Sequence, residues 1–227
     1  MTVAPTESVI RLSLTIERDD VLQFLGYPTG QKPVDRVGAL MDEVIEEART
    51  RANARGSFVK LDVARVSWLG LESIDASGLV VGLVTIGDRI ERRASELLAA
   101  GETTRALLLD AAGSAAVEEA ADRLGAIIAG DDGQAPILQD RIAHVSCRIS
   151  PGYGRWPISA QQRLFAVLPH AGLGVLLLPS MMMVPRKSIS FAMWLGADAR
   201  PISGLSGCSR CELERCRYRK DGEAQGA

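Results

Sequence analysis

Apolar and polar positions alternate along residues 8–16, the two-residue period of a half-buried strand, so an N-terminal strand is the first element expected. Pro33 then opens a segment in which Val34, Val37, Leu40, Met41, Val44, Ile45 and Ala48 recur at helical spacing, with Gly56 as its stop. Asp42, Glu43, Glu46 and Glu47 fall between them and read as the solvated face of that helix. Residues 57–69, with Val59, Leu61, Val63 and Val66, form a strand candidate that breaks near Ala64. A loop beginning at Ser73 leads into a segment, residues 79–100, whose pattern is apolar and then charged and which reads as a helix capped by Gly101.

A second long helix is expected over residues 103–129, through Leu107, Leu108, Ala111, Ala115, Ala120, Leu124 and Ile128. Its run of small residues from Ala111 to Ala116 predicts a close helix–helix seam; a phosphate-binding turn should instead follow a strand and carry a lysine. Residues 130–136, rich in glycine and aspartate, predict a linker. Ser159 and Gln162 stand at capping-box spacing before an amphipathic helix through Leu164, Phe165, Val167 and Leu168 that Gly172 ends. The apolar run 173–178 reads as a strand, with 187–194 as its neighbour. Strands on both sides of a helical middle predict an α+β or mixed α/β domain rather than a doubly wound nucleotide fold. The expected organisation is one domain over residues 1–205 and a cysteine-containing tail over 206–227.

Composition narrows the partners. A net charge of −2 gives no electrostatic case for nucleic acid or an anionic membrane surface. No run approaches the roughly 20 apolar residues of a membrane span, and no basic, then apolar leader opens the chain, so a cytoplasmic location is the expectation. In that compartment the thiols are expected to be reduced or metal-bound.

Between the linker and the capping box lies Arg148-Ile-Ser-Pro-Gly-Tyr-Gly-Arg-Trp-Pro157, with two glycines and two prolines in ten residues. Such a loop is stiff and exposes its backbone. Arg148, Tyr153, Arg155 and Trp156 would project from it as donors and flat apolar faces, suited to a flat, partly anionic ligand such as a nucleoside or a tetrapyrrole-like ring. A plain turn between two elements is the other reading of the same composition.

Farther on come Ser180, Met183, Pro185, Ser188 and Ser190, spaced Ser-x-x-Met-x-Pro-x-x-Ser-x-Ser, and ahead of the loop stands Ala121-Asp122-Arg123-Leu124. With Arg148-x-x-Pro151-Gly152-Tyr153, this ordered set resembles the activation domain of cobalamin-dependent methionine synthase, in its small stand-alone form, over about residues 70–195. The resemblance implies a twisted, mainly antiparallel sheet flanked by helices. It also implies a protein that holds S-adenosylmethionine against the cobalamin of a partner methyltransferase or corrinoid protein, so that oxidised cobalamin is remethylated with an electron from a separate donor. Arg148 would hold the methionyl carboxylate. Backbone groups of Ser150, Pro151, Gly152, Tyr153 and Gly154 would contact the cofactor, Tyr153 would lie over the corrin or the nucleoside, and Met183 and Ser188 would complete the site. The family's acidic positions fall here at Ala126 and Pro179 and its later tyrosine at Met193, which leaves Glu118, Glu119 and Asp122 as the carboxylates at hand for the ammonium. A non-catalytic corrinoid-protein binding module or chaperone of the same fold is the alternative.

Cys208, Cys211 and Cys216 form a C-x2-C-x4-C run suited to an iron–sulfur cluster or a structural zinc, with Cys147 beside Arg148 as the candidate fourth ligand. A reduced, metal-free tail is the simpler alternative. His144 and His170 have no metal-ligand partner at useful spacing.

Overall fold

The structure is a computed structural model that describes residues 9–28, 30–62, 67–71, 73–74, 76–130, 145–146, 148–153, 156–196 and 200–201. Strand β1 (Ile10–Arg11) is followed by α1 (Arg18–Phe24), α2 (Asp35–Arg51), β2 (Arg55–Leu61), β3 (Ser73–Ile74), β4 (Gly78–Thr85), α3 (Arg89–Ala99) and α4 (Thr103–Ala129). After the loop come α5 (Gln161–Phe165), α6 (His170–Leu173), β5 (Leu176–Leu177), β6 (Met183–Val184), β7 (Ser188–Leu195) and β8 (Arg200–Pro201). The main sheet has the order β1-β2-β4-β7 with every pair antiparallel. This is the expected α+β architecture.

Residues 9–16 alternate between exposed and covered as their sequence predicts, with Ile10, Leu12, Leu14 and Ile16 turned to the core. The expected helix over 79–100 is a correction: its apolar half is the central strand β4, buried along its whole length, and only the charged half is helical. A continuous apolar run has no period by which to tell a strand covered on both faces from a buried helix. The glycines decide in favour of the strand, because a Cβ at Gly82 would collide with the ring of its cross-strand neighbour Phe191. Gly101 closes α3 as expected, at φ 81°, with Glu102 N donating to Leu97 O and Gly101 N to Leu98 O.

Both faces of the sheet are covered. Val80, Val84, Phe191, Met193 and Leu195 pack with α1–α4, while Leu79, Val81, Leu83, Ala192 and Trp194 pack with Leu69, Trp156, Leu164, Phe165, Leu168 and Leu173. The small-residue seam of α4 is a close approach of α3: a Cβ at Gly113 would lie 2.8 Å from Ile90 Cγ2.

Several local expectations are overturned by longer-range contacts. Gly56 does not stop α2 but lies in β2, where a Cβ would come within 2.9 Å of Leu124. The strand expected over 57–69 gives way to a 3₁₀ turn at 67–69, and Ser73–Ile74 pairs with β8 instead of opening a helix. Neither Pro157 nor Ala160, the residues that precede the two short helical segments here, makes a side-chain cap, so the Ser159 capping box does not form. Gly172 sits inside α6, and Gly174, at φ 69°, ends it. The run at 173–178 does not pair with 187–194: β5 pairs with β6 in a two-stranded ribbon, and β7 pairs with β4.

Candidate functional site

The linker expected over residues 130–136 lies, beyond Gly130, outside the described residues; the segment from Val145 joins the free edge of β7. Val145 and Ile149 bridge Leu195 and Ala192, so this segment spends one residue more than β7 over the same length, which is a β-bulge. Ser146 holds it: its N–H donates to Trp194 O (2.9 Å), and its Oγ accepts from Trp194 N (2.8 Å) in place of a main-chain carbonyl. Ile149 turns into the second core, whereas Arg148 turns to the opposite face, towards α4.

There the guanidinium finds two carboxylates one helical turn apart. Arg148 Nε and Nη2 donate to Asp122 Oδ1 (3.1 and 2.6 Å), and Nη2 also donates to Glu118 Oε2 (3.1 Å). Beneath it lies the ring of Phe191, 5.7 Å from the guanidinium carbon, and Gly125 leaves room for the stem. The Arg148 side chain is 19% exposed, against 40% for Glu118 and 46% for Asp122. Burial alone would lower the arginine's pKa, but the charges of Asp122 and Glu118 outweigh it and hold the pKa above its ordinary value. No hydrogen-bond partner of Nη1 is found among the described residues, so one edge of the fork stays open.

The loop beyond is closed on itself. Gly152 N donates to Trp156 O (2.8 Å), Tyr153 N to Ser150 O (3.1 Å) and Trp156 N to Tyr153 O (3.0 Å). Gly152 has φ 95°, where a side chain would be strained. These three N–H groups are therefore committed to the turn. Trp156 is a correction: it is 1% exposed and donates Nε1–H to Leu69 O (3.0 Å), a core residue rather than a projecting face. Pro151 is buried, Gly152 is exposed and Tyr153 is 66% exposed. Gly154 and Arg155 lie outside the described residues.

Met183 and Ser188 are not brought to Arg148. Met183 is half-buried on the second core, and Ser188 is buried at the start of β7 with Oγ 2.8 Å from Pro185 O and 2.9 Å from Thr85 Oγ1. Ser188 lies on the other face of the sheet, and the distance along β7 to Phe191 and Met193 is about 10–17 Å at the usual rise per residue. Ser190 Oγ donates to Gln161 Oε1 (3.1 Å), whose Nε2 donates to Met181 O (2.7 Å). The serines thus fix the ribbon β5–β6. A further anchor that the sequence reading missed is Lys187, whose Nζ meets Asp110 Oδ1 (3.0 Å) and Ser114 Oγ (2.8 Å) on α4. Its signal, a lysine between two exposed-looking residues, is indistinguishable from surface charge until α4 is placed.

Cys147, Cys208, Cys211 and Cys216, like His144, lie outside the described residues. Among the described residues no group of three or more His, Cys, Asp or Glu could hold a metal, and no helix is long and apolar enough to cross a membrane. His170 sits 3.0 Å from Val175 O through Nδ1 and packs on Phe165, a structural placement.

No protein-family model matches the sequence, and no curated protein matches it significantly. Among solved structures, that of the MetH reactivation domain bound to AdoHcy matches over 85% of this chain and 80% of that one, with a TM-score of 0.57 at 15% sequence identity. The two molecules share their architecture over most of both lengths, and the chain therefore has the fold of the MetH reactivation domain.

Proposed function

We propose that this protein reactivates a cobalamin-dependent methyltransferase of the methionine synthase type by presenting S-adenosylmethionine to a partner-bound cobalamin. The observation that carries the reading is Arg148, raised on a bulge at the sheet edge of this fold and, in sequence, four residues ahead of the exposed Gly152. The residues present fit the amino-acid end of the methyl donor. A guanidinium edge matches a carboxylate in two-point geometry, and Glu118 and Asp122 are acceptors for an ammonium. Tyr153 offers a flat face at the surface. The protein's part is positioning. The partner's cobalamin supplies the methyl acceptor: with one electron from an external donor it takes the methyl group as the S–CH3 bond breaks, the bonding pair staying on sulfur.

Mixing the protein with a cob(II)alamin-loaded partner, a one-electron donor and S-adenosylmethionine should produce the optical spectrum of methylcobalamin only when all four are present. An unchanged cob(II)alamin spectrum in the complete mixture overturns the proposal.

One observation favours a second reading, a corrinoid-protein binding module without the methyl donor: Arg148 is already neutralised by its own chain. Calorimetry separates the two, since that module would bind the partner and not S-adenosylmethionine. For Cys208, Cys211, Cys216 and Cys147 the proposal remains an iron–sulfur cluster or zinc. Brown anaerobic protein that bleaches on any Cys→Ser change supports the cluster, stoichiometric zinc supports a structural tail, and metal-free protein after reconstitution removes both.

A further inference from the structure

At the edge of the main sheet farthest from β7, two adjacent strands carry an arginine each at the same register position. β1 is the edge strand there, and Arg11 stands directly across from Arg55 of β2. Leu12 N donates to Ala54 O (3.1 Å), which puts the 12–54 pair at a hydrogen-bonded position and the 11–55 pair at the closer, non-hydrogen-bonded one. Paired residues share a face, so both side chains project from the face opposite α1–α4, where Arg55 Nη2 donates to Leu173 O at the end of α6 (3.0 Å). One exposed arginine on an edge strand discourages strand addition and needs no other explanation. Two like charges directly opposite each other cost stability unless a negative group joins them.

Among the described residues neither arginine has an ion-pair partner. Their row continues through Thr85 and Ser188, whose hydroxyls hydrogen-bond each other, and the next row holds Ser57, Leu83 and Ser190. α6, which lies over this end of the sheet, reads His-Ala-Gly-Leu, so no carboxylate comes from it either. Two donors are left over in the same place. Arg55 Nε is buried without a partner, and so is the Oγ of Ser57, two residues along β2 on the same face and 1% exposed. Buried donors are normally satisfied, and here the nearby hydroxyls are engaged with one another or with Gln161. We infer that Arg11, Arg55 and Ser57 form an oxyanion site for a phosphate-type dianion, on the opposite face of the sheet from Arg148. Two guanidiniums with no counter-charge match two negative charges, and their forked N–H groups match the oxygen edges of a phosphoryl group.

Titration of the full chain with inorganic phosphate at constant ionic strength, followed through the arginine side-chain N–H resonances by NMR, tests it. The Arg55 Nε–H resonance should shift saturably while that of Arg148 stays in place. Glycerol 3-phosphate as a second probe separates the sources of the phosphoryl group. A shift with both probes assigns the site to that group whatever carries it, a shift with phosphate alone to the free ion, and a shift with the ester alone to an organic phosphate; each supports the site. Arg11→Gln, at an exposed position, should weaken the binding about tenfold or more, with circular dichroism confirming the fold. No saturable shift of Arg55 with either probe overturns the inference. So does the same shift with chloride, which would be screening alone, or with acetate, which would make the site one for carboxylates. Undiminished affinity in Arg11→Gln overturns it as well, and none of these results touches the function proposed for the Arg148 face.

Discussion

Two arginine–carboxylate clusters lie on the helical side of this protein, and they are built in opposite senses. In the first, one carboxylate, Glu47, accepts from three guanidiniums: Arg51 Nε at 2.9 Å, Arg93 Nε at 3.1 Å and Arg105 Nη2 at 3.1 Å. Its side chain is 14% exposed and its donors come from α2, α3 and α4, so it clamps three helices together. The expectation that Glu47 belongs to a solvated acidic face is corrected by those partners. Burial would raise its pKa, and the hydrogen bonds from Arg105, Arg51 and Arg93 more than reverse this, leaving it below its ordinary value of 4.5. In the second cluster one guanidinium serves two half-exposed carboxylates, and its Nη1 has no hydrogen-bond partner among the described residues. The same ion-pair chemistry makes a strut in one place and, on the proposed function, a ligand site in the other. What separates them is the ratio of donors to acceptors and the exposure of the acceptors.

The largest effect should come from Phe191→Ala, which removes a fully buried ring that fills the space over Gly82 and floors the Arg148 cluster. A loss of about 3–5 kcal/mol in denaturant unfolding is expected, and in whatever folded protein remains the Arg148 resonances should broaden while those of Arg93 do not. If both clusters loosen together, they are not independent. Next, Arg148→Ala should weaken S-adenosylmethionine binding by about 1.5–3 kcal/mol while leaving the fold intact. Unchanged affinity in calorimetry would remove Arg148 from the site.

Glu47→Gln should do the reverse, costing about 1–2 kcal/mol, a midpoint drop of about 2–8 °C, with no change in ligand affinity. The pH dependence sharpens the point. A carboxylate whose pKa is depressed on folding contributes stability that is present above its unfolded value and lost as pH falls through its folded one. The native protein should therefore lose stability below about pH 4.5 more steeply than Glu47→Gln does, and parallel acid profiles would deny Glu47 this role. The smallest effect on the fold belongs to Tyr153→Ala, within about 0.5 kcal/mol because the side chain is exposed. Its effect should instead be a weakened affinity for the cobalamin-bearing partner, measured by titration. A full-strength complex would turn the Gly152–Tyr153 turn away from the corrin.

How far the candidate site was legible can be judged from its own residues. Arg148, Pro151, Gly152 and Tyr153 stood out because their types and spacing restrict the chain locally, and Asp122 was visible on a long helix one turn from Glu118. Trp156 was misjudged because an aromatic in a Gly/Pro loop has the same local signature whether it projects or folds under, and only Leu69, far away in sequence, settles it. The polar ties of Ser188 and Ser190 are similar: Thr85 and Gln161 reach them through strand pairing and packing.

By itself the sequence determined what short-range physics encodes: the two-residue alternation of residues 9–16, the helical periods of α2 and α4, the glycine that terminates α3, and the small-residue face of α4. Each depends on steric and hydrogen-bonding preferences within a turn or two of chain. Tertiary structure alone decided that residues 78–85 are a central strand, that β7 pairs with β4 while β5 pairs with β6, that Glu47 is a strut, and that Arg148 meets Asp122 across a bulge. Those outcomes depend on register between segments distant in the chain, where burial on both faces and the meeting of opposite charges outweigh any local preference.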